Sequence, residues 1–347
     1  MATGDYEFIE RFLATFPDHQ QSKQTYKRLF SIDGMGIEIT AQSRKLLMYM
    51  TEALAHLEVF QNQLSFDLRI ELYSGSRPEF FDWVEHSFGR QVLRVQTDTY
   101  MCLYNPGAEE SIPTVSFFDL AHGRAIFWIY DDEHIQWYEI ATPFRTIFHW
   151  FFEHRGIALI HSASIGKNGK GILVVGRGGS GKTSTALTVF EQEELTYAGD
   201  DYVLVKMEPF PVVISLYCTA KVEFDTFDRL PQLGSLRHMT MKVIGDKEVL
   251  FPYAVHPEKI VKQLSIHSVL VPVIAYSKET TVQPLHSAQA LLALAPSTIF
   301  QLQSEDTRSN SFEVLADLVK KIPCFELRLG IDATEIGEKV ALLLQKL

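Results

Sequence analysis

The residues with the plainest chemical meaning are Gly176-Arg177-Gly178-Gly179-Ser180-Gly181-Lys182-Thr183, which satisfy the pattern G-x-x-x-x-G-K-[ST] at every specified position. Glycines at 176, 178, 179 and 181 let the backbone fold back so that consecutive N–H groups surround phosphate oxygens. In that geometry Lys182 reaches the β and γ phosphates of a nucleotide, and the Thr183 hydroxyl is a ligand for Mg²⁺. Ser180 and Ser184 complete the predicted phosphate-binding set. A glycine turn that merely opened a helix would need neither the lysine nor the hydroxyl. This P-loop motif requires a strand before it and a helix after it. Gly171-Ile172-Leu173-Val174-Val175 is a short apolar run suited to a buried strand, and Ser184 to Phe190 can continue as a helix.

Two further groups flank the motif. Upstream, Ile157 to Ala163 reads as a strand ending in the polar pair His161-Ser162. The turn Gly166-Lys167-Asn168-Gly169-Lys170-Gly171 leaves no room for a crossover helix, so this strand and the next are expected to form an antiparallel hairpin. Downstream, Gly199-Asp200-Asp201 places two adjacent carboxylates between apolar segments. Neighbouring residues of a strand point to opposite faces, so the two acids are expected to do different jobs. An Asp-Asp pair also serves as a turn or a solvated cap, and a lone strand-end histidine is commonly structural. The glycine-lysine motif between them shifts the balance towards chemistry.

Bulk composition sets the frame for these residues. The chain has 347 residues, 46% hydrophobic and 22% charged, which suits two modest globular domains. Net charge is −11, so general binding to nucleic acid is not expected. Cys102, Cys218 and Cys324 are widely separated and have no metal-ligand spacing, which predicts reduced, mostly buried thiols in a cytoplasmic protein. No apolar run approaches the roughly 18 residues of a membrane span, so no membrane partner is expected.

The elements that must carry the site follow from periodicity. The first part, residues 1 to 140, predicts an α+β domain for substrate or partner recognition. It has a helix near 41 to 58, an alternating strand from Phe66 to Leu72, and strands at 91–96, 99–104, 113–118, 124–130 and 135–140. Thr142-Pro143 reads as the cap and first residue of a helix with Phe144, Ile147, Phe148 and Phe151 on one side, expected to pack in a core. Residues 141 to 347 predict the catalytic domain. There Ser268 to Ile274 reads as a strand, placed at an edge by Pro272. Helices are expected near 286–295 and 310–321, with a capping box at Asp332 and Glu335 for the last helix.

His161-Ser162, the motif at 176–183 and Gly199-Asp200-Asp201, in this order and spacing, resemble the kinase core of the HPr kinase/phosphorylase family, which shares a P-loop core with phosphoenolpyruvate carboxykinases. The resemblance covers residues 145 to 205. It implies an α/β fold with a P-loop core on a mixed β-sheet, and an ATP- and Mg²⁺-dependent transfer of the γ-phosphoryl group to a hydroxyl, that of a serine. It implies Asp200 as base on that hydroxyl, His161 beside the reacting phosphate, Lys182 on the phosphates, Thr183 on the metal, and Asp201 towards the metal and the histidine. It also implies a homo-oligomer. Beyond residue 205 the family's glutamate- and glycine-rich signature is replaced by Ser215 to Val222, so the acceptor is expected on a peptide, a protein or a small metabolite in place of the phosphocarrier. Lys221 is a further cation expected to reach a phosphate or substrate anion. Two other readings remain: a nucleotide-dependent switch or ATPase, and a nucleotide-binding scaffold without an acceptor.

Overall fold

A computed structural model describes residues 3–16, 25–60, 65–107, 112–229, 231, 234, 236–237, 240–241, 247–299, 307–332 and 334–347. The chain is a mixed α/β protein that divides into two compact units, Met1–Glu52 with Leu57–Phe151, and Ala53–His56 with Phe152–Leu347.

In the first unit α1 (Thr3–Thr15) precedes β1 (Tyr26–Ile32) and β2 (Met35–Ala41), which pair antiparallel. Their two-residue turn is Asp33-Gly34, with φ of 50° and 83°. Positive φ at both positions gives a turn whose twist matches the strands. α2 (Arg44–Thr51) starts at Ser43, whose hydroxyl accepts the Leu46 N–H at 3.2 Å. It tightens into a 3₁₀ turn over Glu52–Leu57. There follow β3 (Leu68–Ser74), α3 (Glu79–Phe88), β4 (Leu93–Gln96), β5 (Tyr100–Asn105), β6 (Thr114–Asp119), β7 (Arg124–Ile129), α4 (Trp137–Ala141) and α5 (Arg145–Glu153). The strands form one sheet in the order β1-β2-β3-β7-β6-β5-β4. On one face Phe8 and Phe12 of α1 and Phe80 and Phe81 of α3 are buried against Phe117 and Trp128. Phe144 meets Phe127, and Phe151 meets Phe118, as edge-to-face pairs at 5.4 and 6.3 Å.

Two expectations fail here. The strand drawn at 135–140 is helical, because Ile135, Gln136, Ile140 and Ala141 are the buried residues, a spacing that alternation cannot produce. Thr142 ends α4, its hydroxyl donating to the Tyr138 carbonyl at 2.9 Å, and does not cap α5. The cap is Phe144, at φ 55°, whose carbonyl accepts the Phe148 N–H. Burial of that aromatic ring overrides the local preference of Thr-Pro.

The second unit contains β8 (Ala158–Ile160), β9 (Ala163–Lys167), β10 (Lys170–Val174), α6 (Lys182–Leu187), β11 (Thr196–Gly199), β12 (Val203–Lys206), β13 (Val212–Ile214), β14 (Ala220–Glu223), α7 (Thr226–Arg229), β15 (Thr240–Met241), β16 (Lys247–Leu250), β17 (Gln263–Ser277), β18 (Thr281–Pro284), α8 (Ser287–Ile299), α9 (Thr307–Lys321), β19 (Cys324–Gly330) and α10 (Thr334–Lys346). Nine strands form a mixed sheet whose main path is β11-β9-β10-β17-β13-β12-β8, with β19 on β17 and β18 on β19. β14, β16 and β15 form a separate small sheet.

Both faces of the large sheet are covered. Leu173, Val175, Val269 and Val271 are buried with Ala290 and Leu294 of α8 and Leu315 and Leu318 of α9. Ile172, Val174 and Leu270 are buried with Ala186 of α6 and Ile336 and Val340 of α10. A strand apolar on both faces must lie between two helical layers, which accounts for the unbroken run at 172–175.

Pro272 lies on an interior strand of the sheet, at the stretch that runs on past the end of β10 with that side open. β17 is central, and the Leu270 carbonyl accepts the Val175 N–H where β10 runs out. Two residues on, the proline faces its missing N–H to the same side, past the end of β10, so no ladder bond is lost. The capping box at Asp332 and Glu335 does not form. Asp332 accepts the Thr334 N–H, and Glu335 accepts the Thr280 N–H at 2.7 Å. Cys102, Cys218 and Cys324 are all free and buried.

Candidate functional site

The hairpin that supports the site is β9 and β10, paired antiparallel with Lys167 opposite Lys170. It begins later than its sequence suggests. The strand expected over 157–163 is β8, which ends at Ile160 and pairs with β12, three places from β17 on the path to the opposite sheet end. His161 and Ser162 are the bend between β8 and β9. His161 is thereby held against the turn after β11, and its backbone N–H donates to the Thr298 hydroxyl of α8 at 3.2 Å.

After β10 the glycine-rich loop turns with φ of 150° at Gly176, 75° at Gly179 and 101° at Gly181. At two of these glycines a neighbouring side chain also approaches closely. A Cβ on Gly176 would lie 2.6 Å from the Ser180 hydroxyl, and one on Gly181 would lie 2.4 Å from Leu329 Cδ1. Gly178 and Gly179, by contrast, are open to solvent, and a Cβ on either would meet nothing within 4 Å. The Gly181 carbonyl accepts the Thr185 N–H and starts α6, which carries Lys182, Thr183 and Ser184.

Lys182 is buried, and its Nζ donates to the Gly176 and Arg177 carbonyls at 2.8 and 3.2 Å. Burial pulls its pKa down; Asp200 opposes that and Lys247 adds to it. The Thr183 hydroxyl donates to Asp200 Oδ2 at 2.7 Å. Asp200 is 1% exposed, and its Oδ1 has no hydrogen-bond partner among the described residues. Burial raises its pKa above the usual carboxylate range, against the lowering pull of Thr183, Lys182, Lys221 and His161.

The two aspartates do diverge, but not by strand alternation. β11 ends at Gly199, and Asp201 takes a left-handed φ of 71°, which turns its side chain away from that of Asp200. Asp201 Oδ1 lies 3.3 Å from His161 Nε2, and its Oδ2 is ion-paired with Lys221 Nζ. Lys221 therefore meets a carboxylate of the site. Sequence reasoning does not find Tyr202, fully buried, whose ring stacks on His161 at 5.1 Å and 27°, nor Thr298. An aromatic two residues after an acid is visible, but its partner lies 41 positions upstream and nothing local announces the contact.

The structure thus gathers His161, Lys182, Thr183, Asp200, Asp201 and Lys221 at the C-terminal end of β10. Ser162 is fully buried. Hydroxyl and carboxylate oxygens of Thr183 and Asp200, 2.7 Å apart, form a hard donor pair of the kind Mg²⁺ takes alongside water and phosphate oxygens. Asp201, expected towards the metal and the histidine, is engaged by His161 and Lys221. Among the described residues no group of three or more His, Cys, Asp and Glu side chains converges as a metal cluster, and no helix is long and apolar enough to cross a membrane.

No family model matches the chain, and no curated protein matches it. Among solved structures, the HPr(Ser) kinase/phosphatase from Coxiella burnetii is similar at 12% identity over 54% of this chain and 97% of that one, with a TM-score of 0.28. A likeness of that size says nothing by itself about chemistry, which rests on the residues.

Proposed function

We propose that the chain is a kinase of the HPr kinase type that transfers the γ-phosphoryl group of ATP to a hydroxyl, most simply a serine hydroxyl on a peptide, a protein or a small metabolite. The observation that carries this reading is Asp200: a buried carboxylate with one oxygen on Thr183 of the glycine loop and the other without a hydrogen-bond partner among the described residues.

In this reading the backbone N–H groups of residues 176–183 hold the polyphosphate, and Lys182 leaves the loop carbonyls to neutralise it. Thr183 and Asp200 Oδ2 would hold Mg²⁺, which when bound supplies further neutralisation of charge on the phosphates. Asp200 Oδ1 accepts the hydroxyl proton as the acceptor oxygen bonds to the γ phosphorus and the bond to the β-phosphate oxygen breaks. Asp201, fixed by Lys221 and His161, orients the imidazole beside the reacting group, and Tyr202 keeps the ring in plane.

The test uses purified protein, γ-labelled ATP, Mg²⁺ and an extract of the source cells, with Asp200→Asn as control. An acid-stable labelled ester formed only by the intact protein is the expected result, and its fraction gives the acceptor class. Label released solely as free phosphate would overturn the kinase reading in favour of an ATPase.

A further inference from the structure

The small sheet brings two lysines to one of its faces. β14 and β16 run antiparallel, with Lys221 opposite Val249 and Glu223 opposite Lys247. Side chains alternate along each strand, so Lys221, Glu223, Val249 and Lys247 share one face, while Ala220, Val222 and Leu250 share the other. That second face is already occupied. Ala220, Val222 and Leu250 are buried together with Leu187, the last residue of α6, and with Phe227 and Leu236. This packing seats the sheet beside the helix that follows the glycine loop.

The first face directs Lys221 onto Asp201. Lys247 stands diagonally across from Lys221, one pleat along β16, on the same face that meets Asp201. Lys221 and Lys247 thus bring two ammonium groups to the face that meets Asp201, on a chain whose net charge is −11. Crowding like charges costs free energy, and a polyanion placed among them would recover it.

We propose that Lys247 is a further ligand for the phosphates of the nucleotide on the glycine loop, and that the three-stranded sheet is the wall that presents it. The proposal rests on reading residues 176–183 as a nucleotide site. Glu223, opposite Lys247 in the register, is the counter-charge that phosphate oxygens displace. The ligand recognised by this wall is inorganic polyphosphate charge, independent of the base.

Calorimetric titration of ATP and of inorganic triphosphate, with Mg²⁺ and at several salt concentrations, tests it on the full chain. Lys247→Met keeps the aliphatic stem and removes the charge. It is expected to weaken both ligands by about tenfold, the loss of one charge-assisted contact, and to flatten the salt dependence. Lys247→Arg is expected to bind within about threefold of the parent chain. Glu223→Gln, which removes the counter-charge, is expected to bind both ligands more tightly. Unchanged triphosphate affinity in Lys247→Met, with an unchanged melting curve, would overturn the proposal while leaving the nucleotide site intact. Should that variant fail to fold, unchanged affinity in Glu223→Gln overturns it alone. A parent chain that binds neither ligand removes the nucleotide reading, and this proposal with it.

Discussion

Asp200→Asn separates the chemical role of this side chain from its structural one. The substitution keeps an oxygen to accept the Thr183 hydroxyl, which lies 2.7 Å from Oδ2, and replaces the unpartnered Oδ1 region with an amide. The lost functions are proton acceptance and the negative charge of one oxygen proposed to hold Mg²⁺. A positioned general base contributes about 10²- to 10⁴-fold, so phosphoryl transfer is expected to fall by that factor while ATP affinity changes by less than about tenfold. Stability should move the other way. Burial holds the Asp200 pKa above its unfolded value, so the native state binds the proton more tightly than the unfolded chain does. The carboxylate therefore contributes stability below its unfolded pKa and loses it as pH rises through the folded pKa. At pH 7 to 8 the asparagine variant, which buries no charge, should melt higher than the parent, and the gain should shrink as the pH is lowered. Transfer rates by acid-stable label and melting curves from pH 5 to 8 read the two effects. Transfer within about tenfold of the parent, or a variant that melts lower at neutral pH, would refute the assignment.

Other substitutions probe the loop and the buried polar groups. Gly181→Ala places a Cβ 2.4 Å from Leu329 Cδ1 at a φ of 101°, and should cost about 1–3 kcal/mol of stability together with ATP binding, read by urea unfolding and titration. Lys182→Ala should abolish both ATP binding and transfer, in contrast to Asp200→Asn, which loses transfer alone; equal loss of affinity in the two variants would contradict the division of roles. His56 lies 2.7 Å from the Ser215 hydroxyl, and burial, with Lys262 adding to it, lowers its pKa to about 3. Its folded pKa lies below the unfolded one, so the protein should lose about 1.4 kcal/mol per pH unit from this group as pH falls below 6.5, down to about 3. Urea midpoints for the parent and for His56→Gln between pH 7 and 4.5 should diverge by that slope.

What could be read from the sequence is what local chemistry decides. Glycines needing positive φ, an apolar run before them and a lysine-threonine pair after them define the loop at 176–183 within its own eight residues, and the strand and short helix flank it in the structure. The helices expected near 286–295 and 310–321 follow from local pattern and are found at Ser287–Ile299 and Thr307–Lys321. The glycine-rich stretch at 166–171 announces an antiparallel hairpin, although its first strand is β9 and not the strand read over 157–163. Tertiary structure decided the partners. That β8 leaves for the far side of the sheet, so that His161 sits in a bend, depends on β12 pairing with it, Val203 opposite Ile160. That Thr183 meets Asp200 while Asp201 meets His161 and Lys221 depends on one left-handed residue at 201, and an aspartate at such a φ is set by its surroundings more than by its own preference. Lys221 and Lys247 share a face only because β14 and β16 pair in one register, and a slip of one residue would turn both away. Strand pairing between distant segments is chosen by which side chains fill the space between layers, and that choice is a property of the whole fold.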